Sequence, residues 1–173
     1  MAVAEKVKGF APRRIVYVHP KRQQPTTPFG GESVLMPADN IVDLLQTSDF
    51  LFVCTPLNQS SYLAINSETL AKAKPGLKLV NISRGSCVDE RDIADALDSG
   101  LLGGYAADVF EFEDWILSDR PTEIEPRLVV HPHTIFTPHL GSAVSSARQD
   151  IELAAADEII RWIKGEPFLH KVN

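Results

Sequence analysis

Short apolar runs alternate along this chain with stretches of helical periodicity, and that alternation limits the fold more than any other feature. Arg14-Ile15-Val16-Tyr17-Val18, Asp49-Phe50-Leu51-Phe52-Val53-Cys54 and Leu77-Lys78-Leu79-Val80-Asn81-Ile82 read as strands, as do residues 103–110 and Thr134-Ile135-Phe136-Thr137. Val34-Leu35-Met36 is an edge-strand candidate. Helices fall between them. The first ten residues look like the last turns of a helix closed by Gly9 and Pro12, and residues 41–45 form a helix capped by Asp39 or Asn40. Residues 67–74 form another, ended by Pro75-Gly76. Asp89 caps a helix with Ile93, Ala96 and Leu97 on one face, and Ser142 caps a final one in which Ile151, Ala155, Ile159 and Ile163 recur until Gly165. Strands joined by crossovers of this length run parallel, with helices on both faces of the sheet. The unbroken run around Phe50 predicts a strand covered on both sides.

The chain has 173 residues, 44% of them hydrophobic, enough for one domain with a core. Its net charge of −6, from 17 Lys+Arg against 23 Asp+Glu, argues against a nucleic-acid binder. No apolar run approaches the roughly 20 residues of a membrane span, and the opening residues carry no signal-peptide pattern, so a cytoplasmic protein is expected. Cys54 and Cys87 stand singly and read as buried spectator thiols, with neither a disulfide nor a metal site expected.

In an open parallel sheet ligands sit outside the carboxyl ends of the strands. Cys54-Thr55-Pro56-Leu57 follows one strand, Ile82-Ser83-Arg84-Gly85 the next, Asp108 and Glu111-Phe112-Glu113-Asp114 a third, and Pro138-His139 the last. A cation, a carboxylate and a histidine so placed can hold an anion, orient a base and take a proton. Singly, each has a plainer reading: Arg84 as a solvated turn residue with Gly85 supplying the turn, Glu113 as a water-facing carboxylate, His139 as a structural histidine.

At these residues the sequence resembles the D-2-hydroxyacid dehydrogenase family, over nearly the whole of residues 1–167. The likeness lies in Val80-Asn81-Ile82-Ser83-Arg84-Gly85-Ser86-Cys87-Val88-Asp89-Glu90, in Asp108-Val109-Phe110 and in Thr137-Pro138-His139-Leu140-Gly141-Ser142-Ala143. The resemblance implies an α/β fold: an incomplete Rossmann-like doubly wound parallel sheet. Residues 1–165 would be a partial NAD(P)-binding domain and 166–173 a tail. It also implies an oxidoreductase moving hydride between NAD or NADP and a small anion. Arg84 would bind the anion, His139 act as acid and base, and Glu113 pair with His139. Cofactor-lining positions would be Cys54, Thr55, Pro56, Ile82, Ser83, Arg84, Asp108, His139 and Gly141, together with His19, Lys21 and Arg22 at the end of the second strand. Those three basic residues, with no carboxylate before Glu32, predict a preference for NADP or none for NAD. A homodimer is implied for the full-length family, and no membrane or nucleic-acid partner.

Glu113 is usually followed by proline in the family; here Asp114-Trp115 follows. Residues 103–115, with Asp119-Arg120-Pro121, His131-Pro132 and Phe136-Thr137-Pro138-His139, look like the phosphonate (phosphite) dehydrogenase branch. The family's G-x-G-x-x-G turn, the first strand of the sheet and the amino-terminal substrate domain have no counterpart in these 173 residues. The expectation is therefore a fragment, a gene model begun at an internal methionine or a degenerate copy, with a gap between the Arg14 and Phe50 strands and no turnover by the chain alone. An inactive nucleotide-binding or dimerising remnant and a corepressor-like binding protein are the competing readings.

Overall fold

The computed structural model describes residues 2–18 and 34–169. They divide into two compact units, one up to Phe136 and one from Thr137. In the first, α1 (Ala2–Val7) runs into a 3-10 turn that Ala11 closes in the left-handed region at φ 48°. β1 (Arg14–Tyr17) pairs in parallel with β2 (Val34–Pro37). His19, Lys21 and Arg22, on which the cofactor preference rests, lie outside the described residues. In α2 (Ile41–Thr47) the cap is Asn40 and not Asp39, because the Asn40 side-chain oxygen accepts from the Asp43 N–H at 3.1 Å.

β3 (Phe50–Val53), β4 (Leu77–Asn81), β5 (Leu102–Ala107) and β6 (Thr134–Phe136) form a parallel sheet in that order. Among the described residues no ladder joins β1 and β2 to this sheet, in keeping with the expected gap. Between the strands lie α3 (Ser67–Leu70), α4 (Glu90–Asp98) and α5 (Pro126–Val130). The helix expected over 67–74 stops at Leu70, and the chain continues in turns to Gly76, whose φ of 81° suits a residue without Cβ. Asp89 caps α4 as expected, its carboxylate accepting from the Arg91 and Asp92 amides at 3.0 and 3.1 Å.

The core lies on one face of the sheet. Leu77 and Leu79 of β4, Leu102 and Tyr105 of β5, Leu45 of α2, Leu70 of α3, Ile93 and Leu97 of α4 and Leu128 of α5 pack in a single cluster. Each such side chain, buried in full, stabilises by about 1.5–3 kcal/mol. The prediction that β3 is covered on both sides fails. Leu51 and Val53 are buried, but Phe50 is 55% exposed, with the Lys78 ammonium over its ring, because among the described residues of this unit no helix covers that side.

The second unit is dominated by α6 (Ser145–Lys164). Its N-cap is Val144, which supplies no side-chain oxygen, and not Ser142. Residues 140–143 turn first, the Ala143 N–H returning to the Leu140 carbonyl at 3.0 Å, so the helix begins beyond reach of the serine. Gly165 closes it at φ 69°. No residue of α6 is buried, and no helix among the described residues is long and apolar enough to cross a membrane.

Candidate active site

β4 ends on Asn81, a polar side chain that is 0% exposed beneath the turn that follows. Its Oδ1 accepts from the Ser83 amide and hydroxyl at 3.1 and 3.0 Å, and its Nδ2 donates to the Arg84 carbonyl at 2.9 Å. All three bonds fix residues 83–84, and the Asn81 carbonyl accepts the Asp108 N–H at 3.1 Å, tying the end of β5 to the same point. Asn81 is thus a structural node of the site that spacing did not single out. A polar residue closing an otherwise apolar strand was the available signal.

Arg84 leaves this turn with its side chain exposed. Its Nη1 donates to the Ser83 carbonyl at 2.7 Å, and among the described residues no carboxylate pairs with it. Gly85, read from the sequence as a turn residue, has a stricter role. A Cβ built on it would collide with the Phe110 carbonyl group and the Glu111 nitrogen, so only glycine lets the two strand-end turns touch.

Cys54, Thr55, Pro56, Leu57, Ile82, Ser83 and Arg84 line a cleft of about 450 Å³ outside the carboxyl ends of β3 and β4. Six of the seven are the cofactor positions read from the sequence. Cys54 is exposed and not a buried spectator, because it lies just past the strand, whereas Cys87 is buried as expected. Desolvation by its surroundings pushes the Cys54 thiol up from its ordinary range, so it stays protonated near neutral pH. The cleft wall is braced from behind: the Ser61 hydroxyl donates to the Pro56 carbonyl at 2.7 Å.

Past β5, Asp108 and Glu113 are half-buried, Glu113 in a 3-10 turn held by its N–H to the Phe110 carbonyl at 3.1 Å. Arg84, Asp108 and Glu113 all belong to the first unit. His139 and Gly141 belong to the second, where both are exposed and His139 adopts φ 51°. That left-handed conformation is uncommon for a residue with a Cβ and marks the Pro138-His139 turn as locally constrained.

Residues 1–141 match the family described as D-isomer specific 2-hydroxyacid dehydrogenase, NAD binding domain. The chain belongs to this family. It is 34% identical to D-3-phosphoglycerate dehydrogenase of Bacillus subtilis over 131 residues, 76% of this chain and 23% of that protein. It is 32% identical to glyoxylate reductase of Pyrococcus furiosus over 165 residues, 95% of this chain and 45% of the relative. Among solved structures, the NADPH-dependent glyoxylate/hydroxypyruvate reductase SmGhrB of Sinorhizobium meliloti, in complex with NADP and malonate, superposes with a TM-score of 0.81 at 26% identity. That superposition covers 99% of this chain and 49% of the reductase. The chain thus spans half or less of the length of these relatives.

Proposed function

We propose that these residues are the coenzyme-binding portion of an NAD(P)-dependent oxidoreductase that passes hydride between the nicotinamide and a small anion held by Arg84. The observation that carries this reading is the guanidinium at the cleft, which no carboxylate pairs with among the described residues. A planar fork of donors left to solvent beside a polar cleft suits a bidentate oxyanion. The cleft residues fit the nicotinamide end of a dinucleotide. The pyrophosphate is a different matter, since the 173 residues contain no G-x-G-x-x-G run to cradle it. When bound, the cofactor supplies the hydride acceptor or donor.

Arg84 orients the anion, and His139 accepts a proton as the bond to hydrogen breaks. The role that the family resemblance implies for Glu113 is that of the histidine's partner, which would fix the His139 tautomer and stabilise the imidazolium. The Glu113-Asp114-Trp115 string favours phosphite, for which His139 would deprotonate the water that attacks phosphorus. The second reading is a 2-hydroxyacid, whose hydroxyl proton His139 would take as hydride leaves, or a 2-oxoacid, to whose carbonyl oxygen His139 would give a proton as hydride arrives; the glyoxylate reductases among the relatives favour it.

The test is turnover by a protein in which these residues follow a G-x-G-x-x-G turn and a substrate domain, with phosphite and with glyoxylate, using NAD(H) and NADP(H). Arg84→Ala should raise KM sharply, and His139→Asn should lower kcat by a factor of about 100 or more. Undiminished turnover by His139→Asn removes it from the reaction. Tenfold or better preference for NAD refutes the NADP expectation drawn from His19, Lys21 and Arg22.

A further inference from the structure

Carboxylates staple the two strand-end turns together through backbone amides, and none of these has been given a role above. The Ser86 N–H donates to Asp114 Oδ2 at 2.7 Å. The Glu90 N–H donates to Glu111 Oε1 at 2.6 Å, and the Glu111 N–H returns to Glu90 Oε1 at 2.9 Å. The Glu125 N–H holds the other Glu90 oxygen at 3.1 Å. Asp114 and Glu90 are buried, which shields these bonds from competition by water.

The positions of the staples suggest their purpose. Ser86 lies two residues after Arg84, and Asp114 directly follows Glu113. The Asp114 carboxylate therefore clamps the backbone beside one functional side chain to the backbone beside the other. It does so without consuming the Arg84 guanidinium. Gly85 seated against Phe110 provides the steric half of the same junction. Most of the family that the sequence resembles has proline after the glutamate, and a proline side chain has no acceptor. This clamp thus depends on the aspartate that sets the chain apart.

This inference rests on the reading of Arg84 as the anion ligand and Glu113 as the partner of the proton-transferring histidine. We propose that Asp114 is a positioning residue: by holding the Ser86 amide, with the reciprocal Glu90–Glu111 pair behind it, it fixes where Arg84 stands relative to Glu113. Loss of the acceptor leaves a buried Ser86 N–H unpaired, and the turn must shift to rewet it. A guanidinium displaced by even an ångström loses much of its bidentate grip.

The test is NMR of the 173-residue chain with malonate as the anion probe. Asp114→Ala should speed exchange of the Ser86 amide about tenfold or more and weaken malonate binding about tenfold. Asp114→Asn, which is isosteric and keeps an acceptor oxygen, should restore both to within about twofold of wild type. Wild-type Ser86 protection and malonate affinity in Asp114→Ala would overturn the proposal. So would an Asp114→Asn chain that folds normally by circular dichroism yet behaves like the alanine variant. Arg84→Ala separates the two levels of argument. Malonate binding that is absent from wild type, or that survives Arg84→Ala, refutes Arg84 as the anion ligand, while exchange at Ser86 still decides the role of Asp114.

Discussion

Two helices of this chain carry an apolar face at helical spacing, and only one of them buries it. In α4, Ile93 and Leu97 are 0% and 4% exposed beneath the sheet. In α6, Ile159 and Ile163 are 59% and 72% exposed, and the unit that contains them buries none of the helix. Both repeat apolar residues at helical spacing, although α4 gathers them on one face more sharply than α6. Periodicity therefore shows that a helix has an apolar side, whereas what covers that side depends on residues elsewhere. α4 also carries its own start signal in Asp89, while α6 starts on Val144 with no capping side chain.

The sharpest way to break that comparison is a pair of truncations of the same residue type. Ile93→Ala removes atoms packed among Leu79, Leu97 and their neighbours and should cost about 2–5 kcal/mol. Ile159→Ala removes atoms already in water and should stay within about 0.5 kcal/mol. Denaturant unfolding of the two variants measures both. Equal effects would mean that α6 is as well covered in solution as α4.

Gly85→Ala comes next. The added methyl enters the Phe110 carbonyl, so the turns must separate, at a cost of about 1–3 kcal/mol. Gly165→Ala, at a positive φ but in open space, should cost only about 1 kcal/mol. Asn81→Ala should cost about 1–3 kcal/mol, since it strands the Ser83 amide and the Arg84 carbonyl under cover. Thermal melts rank the three, and a Gly85→Ala chain as stable as wild type would mean that the turns do not meet as described.

These side chains also mark what could be read beforehand. Strand positions, parallel pairing and the Asp89 cap follow from apolar runs and local chemistry, so they were legible. So was the gap between β1 and β3, because the first strand that the resemblance implies has no counterpart in these 173 residues. Cys54, Thr55, Pro56, Ile82, Ser83 and Arg84 were legible as a group because strand ends in a parallel sheet share one edge. Asn81, Glu90, Glu111 and Asp114 were not assigned roles, because each acts on a backbone amide, and amides leave no trace in composition or periodicity. The exposed side of Phe50 was misread for a related reason. An apolar run records what a strand can bury and is silent on whether a cover is present.

The smallest predicted effect is a titration confined to the first unit. Burial, reinforced by the neighbouring Glu90 carboxylate and by Asp89, pushes the Glu111 carboxyl up to about 7, against the opposing pull of the Glu90 N–H and of Arg91. Burial pushes Glu90 in the same direction. The nearby Tyr105 phenol is driven well above its ordinary range by burial and stays neutral throughout. An unfolded glutamate titrates at about 4.3, so between that value and about 7 the folded chain holds more protons than the unfolded one. The contribution of Glu111 to stability therefore falls as pH rises across this window and levels off above it. The depressed carboxylates Asp49 and Glu125, each hydrogen-bonded to a cation, act in the opposite sense, but only at lower pH. Glu111→Gln keeps an oxygen for the Glu90 amide and cannot titrate, so its stability should change less between pH 5 and 8 than that of wild type. Urea midpoints at several pH values decide the matter. Parallel curves for the two proteins would show that Glu111 does not carry this proton, and that the Glu90–Glu111 contact is as open to water as the face of α6.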